Sequence, residues 1–558
     1  MTRSGATVLA EMLRGYGVSH VFFMPTVLLR TLAALEGTGV RRVMTHGEKA
    51  AAYMADGYAR AAKRPGVCFA QHIGSTNLLS GLRDACMAGS PVIAFTGGSS
   101  GGAYRHAYQE VEDLAQFDTL TKFNAEVNEV ARLPDLVRQA FREATSGATG
   151  PVHLRLRGKH GGVTEEALDV EARTQPMFGA APAVRTLADA PSIHAAVERL
   201  LRARRPIIVA GGGAVYSGAH AQVRAFAEQL SIPVATSLNA KELLPDDHPL
   251  LVGVVGTYCR RSANQAVAEA DLVFFVGSRA GGQVTHDWRL PAPDTPVIQL
   301  DIDPSELGRN YADTLPLCGD VREVMTRLIE LTRDAGALER RKWAQRCAGL
   351  VAEWRDDIDA RRRSDTAPVR PERICREISE ALPEGGMVVS DTGHAGLWTA
   401  ACIELKRKGQ RYIRAAGSLG WSFPAALGAK CALPDAPVVC FTGDGAFYYH
   451  IAELETAARN GINLVVVVNN NSALNQEIPM FDAAYGVKGN RQGSEMWEFG
   501  NTDFAKIAEQ FGCLGMRVER ARDLAPALQR AFAAGRPVVI DVVSDPLAYA
   551  DKAWLPEA

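Results

Sequence analysis

The sequence predicts an α/β protein of three doubly wound parallel-sheet domains. Three observations carry this expectation. Short β-branched runs alternate with amphipathic segments along nearly the whole chain, as in parallel sheets covered by helices. Two stretches interrupt the alternation. Residues 173–190 are rich in Pro, Ala and Thr with little periodicity, and residues 355–371 run from Arg355-Asp356-Asp357 through Arg361-Arg362-Arg363 to Pro371. The second reads as a solvated helix face or a linker. They divide the chain into blocks of 1–172, 185–350 and 368–550, in keeping with 558 residues at roughly 150 per domain. Finally, the first and third blocks echo each other.

In the first block, Val67-Cys68-Phe69-Ala70 leads through a loop to a helix from about Thr76 to Met87, then to Pro91-Val92-Ile93-Ala94-Phe95. In the third, Val439-Cys440-Phe441-Thr442 leads through a loop to a helix from about Phe447 to Arg459, then to Leu464 through Val468. Phe69 to Pro91 and Phe441 to Asn463 both span 22 positions. Each block closes alike, with Gly150-Pro151-Val152-His153-Leu154 against Arg536-Pro537-Val538-Val539-Ile540. The repetition points to duplication, and two similar sheets in one chain often place a site between them.

Composition narrows the function classes. Lys plus Arg (61) nearly balances Asp plus Glu (63), which argues against nucleic-acid or membrane partners held by a basic face. The ten cysteines are scattered without a C-x-x-C, and several sit in apolar runs, as expected of free thiols in a reducing compartment. Arg3 and Glu11 interrupt any signal-peptide core, and the longest aliphatic stretch, Leu464 to Val468, is far too short to span a bilayer. A cytoplasmic enzyme is the expectation.

The most specific signal lies in the third block. A strand ends at Thr442-Gly443-Asp444-Gly445-Ala446-Phe447, and Asn469-Asn470-Asn471 follows the next strand, with Asp444 and Asn471 separated by 27 positions. Glycines at a strand end let a ligand approach the backbone, and a helix beginning near Phe447 would offer free N–H groups to phosphate. Asp444 and Asn471 would emerge from adjacent strand ends as two oxygen ligands for Mg²⁺. Asp-Gly alone reads as a turn; the whole strand, loop, helix, strand and Asn array is much more specific.

On these motifs the chain resembles the thiamine-diphosphate-dependent enzymes of the acetolactate synthase, pyruvate oxidase and benzaldehyde lyase superfamily, over all three blocks. The resemblance implies pyrimidine-binding (1–172), central (185–350) and diphosphate-binding (368–550) domains. It implies thiamine diphosphate bound around Gly443, Asp444, Gly445 and Ala446, with Asp444, Asn471 and the Ala473 carbonyl as Mg²⁺ ligands. Gly393-His394 would be the diphosphate-contacting turn. In Gly417-Ser418-Leu419-Gly420, Leu419 would bend the cofactor and the Gly417 carbonyl would receive its 4′-amino group. Thr45-His46-Gly47-Glu48 resembles the family's glutamate motif, making Glu48 the acid that shares a proton with N1′ from an apolar pocket. Thr45-x-x-Glu48 is also a capping box. In this family the glutamate and the Mg²⁺ loop of one site come from different subunits, implying a homodimer at minimum and a homotetramer as the expected assembly.

Three clusters are expected on the substrate side. In Gln71-His72-Ile73-Gly74-Ser75-Thr76-Asn77, His72 departs from the Gly-Pro-Gly-x-Thr-Asn of typical acetolactate synthases; it could shuttle protons or be an ordinary hydrogen-bonded residue. Tyr108-Gln109-Glu110 matches the family's aromatic-Gln-Glu, with Gln109 orienting the substrate oxygen, or is a polar helix end. Leu474-Asn475-Gln476-Glu477 replaces small, apolar and basic residues with two amides and an acid. Repulsion by Glu477 argues against plain acetolactate synthesis. Pro479 to Trp497 reads as a lid or a surface loop. Met24 and Val27 would give an apolar wall after the first strand.

In the middle block, Gly211-Gly212-Gly213 and Gly218 suggest a dinucleotide fingerprint, but no acid closes the next strand, Pro233 to Ser237, which argues against a NAD dehydrogenase. Gly277-Ser278-Arg279 and Asp301-Ile302-Asp303-Pro304 resemble the superfamily's central domain, where relatives bind FAD, ADP, the adenosine end of coenzyme A, or nothing. Asp301 or Asp303 would hold a ribose or cap a helix. The leading expectation is a C–C lyase or carboligase acting on a 2-keto or 2-hydroxycarbonyl compound. The alternatives are a 2-hydroxyacyl-CoA lyase, with Arg155, Arg157 and Lys159 meeting phosphates or forming a solvated strand end; a ring-opening hydrolase similar to cyclohexane-1,2-dione hydrolase; and a catalytically silent relative.

Overall fold

In the computed structural model, which describes residues 3–99, 108–109, 111–169, 171–335, 340–486, 489 and 491–557, three six-stranded all-parallel sheets follow one another along the chain. The first holds β1 (His20–Phe23), β2 (Arg41–Met44), β3 (Gly66–Ala70), β4 (Val92–Gly97), β5 (Phe123–Val127) and β6 (Val152–Leu156). The second holds β7 (Pro206–Ala210), β8 (Val234–Thr236), β9 (Leu251–Val254), β10 (Leu272–Val276), β11 (Val297–Asp301) and β12 (Thr314–Cys318). The third holds β13 (Met387–Ser390), β14 (Arg411–Arg414), β15 (Val438–Gly443), β16 (Val465–Asn470), β17 (Leu514–Val518) and β18 (Val538–Val543). Central strands such as Val465 to Val468 are near-continuous apolar runs because helices cover both faces of a parallel sheet. A two-residue antiparallel pair, Arg3–Ser4 with Ala167–Leu168, closes the first block.

The echo extends to topology. The first sheet runs β2-β1-β3-β4-β6-β5 and the third runs β14-β13-β15-β16-β18-β17, the same order within each block. The middle sheet runs β9-β8-β7-β10-β11-β12, so its direction of winding reverses between β7 and β10.

Eight helices position the loops and the contacts between blocks: α1 (Glu48–Ala62), α2 (Ser75–Ala88), α3 (Arg341–Arg362), α4 (His394–Cys402), α5 (Ser422–Ala432), α6 (Asp444–Tyr448), α7 (Glu453–Asn460) and α8 (Ile478–Tyr485). The charged run after Arg355 continues α3, which crosses residue 350 unbroken and buries Trp343, Leu350, Trp354 and Ile358 along one side. The helix expected from about Phe447 instead starts at Asp444 and breaks after Tyr448, resuming at Glu453.

Blocks one and three meet where α1 packs on α5. Both helices are rich in Ala and buried over most of their length. At the crossing there is no room for side chains: a Cβ at Gly57 would overlap the Ala425 carbonyl, and one at Gly428 would overlap the Met54 carbonyl. Between them Arg60, 4% exposed, grips Asp56 through Nε at 2.8 Å and Nη2 at 2.7 Å. Trp421 Nε1 donates to the same carboxylate at 2.8 Å. The middle block docks through Arg260, which donates to the carbonyls of Ala401 and Ile403, and through Asp246, which accepts from Leu405 N–H.

Gly428→Ala is expected to destabilise the protein by about 3 kcal/mol or more, because backbone rather than a side chain must yield. Gly349→Ala, in an open position of α3, is expected to be neutral or stabilising by up to about 1 kcal/mol. Thermal or urea midpoints of the two variants provide the comparison.

Candidate active site

Strands β15 and β16 lie side by side with Gly443 opposite Asn469, so the loops at their carboxyl ends adjoin. Asp444, 2% exposed, accepts from the Gly445 N–H at 2.7 Å and from the Ala473 N–H at 3.2 Å. Asn471 Oδ1 accepts from that same Ala473 N–H at 3.1 Å. One donor therefore draws both side chains together, and Ser472, at φ 57°, makes the sharp turn between them. A Cβ at Gly443 would meet nothing within 4 Å, whereas one at Gly445 would collide with Leu474. The loop is thus open at the strand end and packed behind it, with Ala446 buried beneath. Because α6 has only five residues, a phosphate here would meet the loop's own N–H groups and not a long helix dipole.

Burial pushes the Asp444 carboxyl up to about 7, although the N–H groups of Gly445, Ser472, Ala473 and Asn471 pull the other way. A carboxylate, an amide oxygen and the Ala473 carbonyl are hard oxygen donors, a set that fits Mg²⁺ completed by phosphate oxygens and water. Among the described residues there is no group of three or more His, Cys, Asp or Glu side chains suited to a metal.

Beside this loop, Gly393 adopts φ 64° and ψ −143°, a conformation open to glycine, and starts α4 at His394. His394 Nδ1 donates to Asn475 Oδ1 at 2.7 Å, and burial holds its imidazole below the usual range. Asn475, 4% exposed, also donates to the carbonyls of Pro546 and Ala548. Its amide is therefore a strut between α4 and the C-terminal tail, not a free group facing a substrate. Gln476 lies next to Gly393, and Glu477, half-buried, stands at the N-cap position of α8 without a side-chain capping bond. The segment after it returns: the Leu474 N–H donates to the Trp497 carbonyl at 2.8 Å and the Phe499 N–H to the Ser472 carbonyl at 2.7 Å. The far end of the Pro479 to Trp497 segment is thus tied back to residues 472–474, so that its described part forms a flap; residues 487, 488 and 490 lie outside the described residues.

The turn at Gly417, Ser418 and Leu419 follows β14. Gly417 is exposed and Leu419 half-buried. Asp391 accepts from the N–H groups of Gly420 at 3.0 Å and Ser422 at 2.9 Å, fixing the far side of the turn.

The first block supplies Glu48 at the opening of α1, after an extended Gly47. The Thr45 hydroxyl donates to the Gly47 carbonyl at 2.9 Å, so the capping box does not form and the carboxyl is left to other partners. Asn77 Nδ2 approaches Glu48 Oε2 at 3.3 Å, and a Cβ at Gly74 would collide with Oε1. Both contacts belong to the loop and helix start after β3. His72, 2% exposed, donates from Nδ1 to the Gly97 carbonyl at 3.4 Å and accepts at Nε2 from the Val111 N–H at 3.0 Å. Backbone occupies both ring nitrogens, so here His72 joins two loops as a hydrogen-bonded residue. Gln109, at φ 64°, accepts from Gln71 Nε2 at 3.1 Å; Glu110 lies outside the described residues. Among the described residues no hydrogen bond or ion pair joins Glu48 to the Asp444 loop.

The basic cluster expected near β6 is spent internally. Arg155 pairs with Glu112, Asp113 and Glu126, Arg157 pairs with Glu166, and Lys159 lies over the Tyr108 ring. In the middle block, a cavity of about 380 Å³ opens at the reversal of winding, lined by Gly211, Gly277, Arg279, Gln283, Asp301 and Arg414. Asp301 faces it; Asp303 instead caps the turn at Ser305, accepting from its N–H at 2.9 Å.

Two measurements on the protein alone check this geometry. Asn475→Ala leaves buried carbonyls without donors and is expected to cost about 1–3 kcal/mol, while exposing residues 546–550 to proteolysis. Asp444 is protonated in the folded bare chain below about 7 but ionises near 3.9 when unfolded. Folding therefore takes up a proton between these values, and this group's contribution to stability falls as pH rises from about 4 to about 7. Denaturation midpoints at pH 5 and pH 7.5 should show that fall, and Asp444→Asn should flatten it.

Comparison with known proteins agrees with this architecture. Three family models match consecutive regions: the thiamine pyrophosphate enzyme N-terminal TPP binding domain over residues 3–117, the central domain over 193–328, and the C-terminal TPP binding domain over 391–542. A probable acetolactate synthase large subunit of Methanocaldococcus jannaschii is 33% identical over 97% of this chain and 92% of its own length. The acetolactate synthase large subunit of Corynebacterium glutamicum is 31% identical over 97% and 86%. A glyoxylate carboligase of Escherichia coli O157:H7 is 30% identical over 94% and 91%. With three sheets in this order and three matching domains, the chain belongs to the thiamine pyrophosphate enzyme family, as a relative of the acetolactate synthases.

Proposed function

We propose that this chain is a Mg²⁺- and thiamine-diphosphate-dependent C–C carboligase or lyase acting on a 2-keto or 2-hydroxycarbonyl substrate. The observation that carries the reading is the convergence of Asp444 and Asn471 on one N–H at adjacent ends of a parallel sheet. Bound there, the cofactor would supply a nucleophilic carbon and a sink for the electrons of the breaking C–C bond. Asp444, Asn471 and the Ala473 carbonyl would hold the cation, and Gly393 and His394 would border the diphosphate. Glu48 would pair with the aminopyrimidine, and the Gly417 carbonyl would receive the amino group. His72 and Gln71 set the loop that carries Gln109 toward substrate. A silent binding relative would have no need of Glu48, Asp444 and Asn471 together.

With no hydrogen bond or ion pair joining Glu48 to the Asp444 loop among the described residues, we take a homodimer as the minimum catalytic unit, and a homotetramer in the cytoplasm as the working assembly. No helix among the described residues is long and apolar enough to cross a membrane. The central cavity supports a nucleotide such as FAD or ADP. Arg414, 5% exposed, lines it with Nε unbonded and no carboxylate within ion-pair distance among the described residues, a charge that an anionic ligand would neutralise. The coenzyme A reading loses support because Arg155 and Arg157 are already paired. Gln476 and Glu477 favour a substrate other than the pair of 2-keto acids joined in acetolactate synthesis.

Acid-quench proton NMR of cofactor adducts, with the Mg²⁺-loaded protein offered pyruvate, glyoxylate or a cyclic 1,2-diketone, tests the reading. Glu48→Gln is expected to lower turnover by about a hundredfold or more while cofactor binding persists. A variant that keeps its rate removes Glu48 from the mechanism.

A further inference from the structure

Helix α2 carries one acidic residue, Asp84, on the face that also buries Leu78, Gly81 and Ala85. It is 0% exposed. The nearest cation is Arg60, but Asp56 already takes that guanidinium in two short bonds, and Arg60 Nη2 stands 3.5 Å from Asp84 Oδ1. The closer partners of Asp84 belong to the third block, more than 300 positions away. Oδ1 accepts from the Ala416 N–H, and Oδ2 accepts from the Ser418 N–H at 2.9 Å.

These two donors flank Gly417. Its own surroundings impose little, since a Cβ there would meet only Met87, at 3.5 Å or more. The Ser418 N–H and the Gly417 carbonyl belong to one planar peptide unit, so the carboxylate that holds this N–H, with the Ala416 N–H as a second anchor, fixes the direction of the Gly417 carbonyl. Asp391 does the same for Gly420 and Ser422, so the segment 416–422 hangs between two buried carboxylates, one from each block.

We propose that Asp84 is a positioning residue that presets the Gly417 carbonyl, so that the first block aligns a group belonging to the third. The proposal rests on the reading of Gly417 as the acceptor for the cofactor's amino group. A hydrogen bond to a charged acceptor is among the stronger ones in a protein, and it constrains most when buried.

Asp84→Asn keeps the size and replaces one acceptor with a donor. Asp84→Glu keeps the charge beside Arg60 and moves the oxygens by a methylene, which serves if the Asn variant does not fold. In the cofactor-free protein, deuterium uptake at the Ala416 and Ser418 amides should accelerate about tenfold or more in either variant. With Mg²⁺ and thiamine diphosphate added, proton NMR should show exchange at cofactor C2 slowing by about tenfold or more, while the cofactor Kd stays within about threefold, because the Asp444 loop is untouched. A merely structural role would weaken binding and exchange together. Unchanged amide protection, or an unchanged C2 exchange rate in a variant that binds cofactor, overturns the proposal. If the wild-type chain itself binds no thiamine diphosphate, the functional reading fails instead, and amide protection alone then decides whether Asp84 holds the turn.

Discussion

The close crossing of α1 and α5 is the constraint on which the two candidate half-sites depend. Glu48 begins α1, and the Gly417 turn leads into α5, so the register of that crossing sets where both point. Gly57 and Gly428 allow backbone to touch backbone, and the buried Asp56–Arg60 pair with Trp421 fixes an alignment in which these charged groups meet their partners. Such a buried pair adds little net stability, but breaking it strands a charge, which makes it a device for specifying register.

Around this crossing the blocks exchange polar contacts. The third block sends Glu453 of α7, whose carboxylate accepts from the His46 N–H at 2.9 Å, two residues before Glu48. The first block sends Asp84 to the turn at Gly417. The duplication visible in the strand order is thus functional in a physical sense: each copy of the fold anchors the loop that the other presents.

Much of this was legible in the sequence. Apolar β-branched runs such as Val465 to Val468 can only be buried strands, and the equal spacing from Phe69 to Pro91 and from Phe441 to Asn463 reflects two sheets of one topology. The convergence of Asp444 and Asn471 was legible because it follows from local strand and loop geometry. What was not legible depended on contacts distant in sequence. The partners of Arg155 lie on a neighbouring strand and loop, those of Asn475 in the C-terminal tail, and those of His72 across two loops. Asp84 did leave a signal, a lone acid on the apolar face of its helix, but its partners could not be read from spacing. The break between α6 and α7 follows no glycine or proline and is set by packing around Tyr448 and Phe504.

The flap tied back by Trp497 and Phe499 has a consequence for how such a pocket can diverge. Its far end pairs with the backbone of residues 472–474 and not with particular side chains. Main-chain pairing is indifferent to sequence, so everything between Gln476 and Glu495 can be rewritten while the turn that presents Asn471 and Ala473 keeps its shape. The fold thereby separates inheritance of the Asn471–Ala473 turn from change in the segment that follows it, and the two amides and acid at 475–477 stand at the seam.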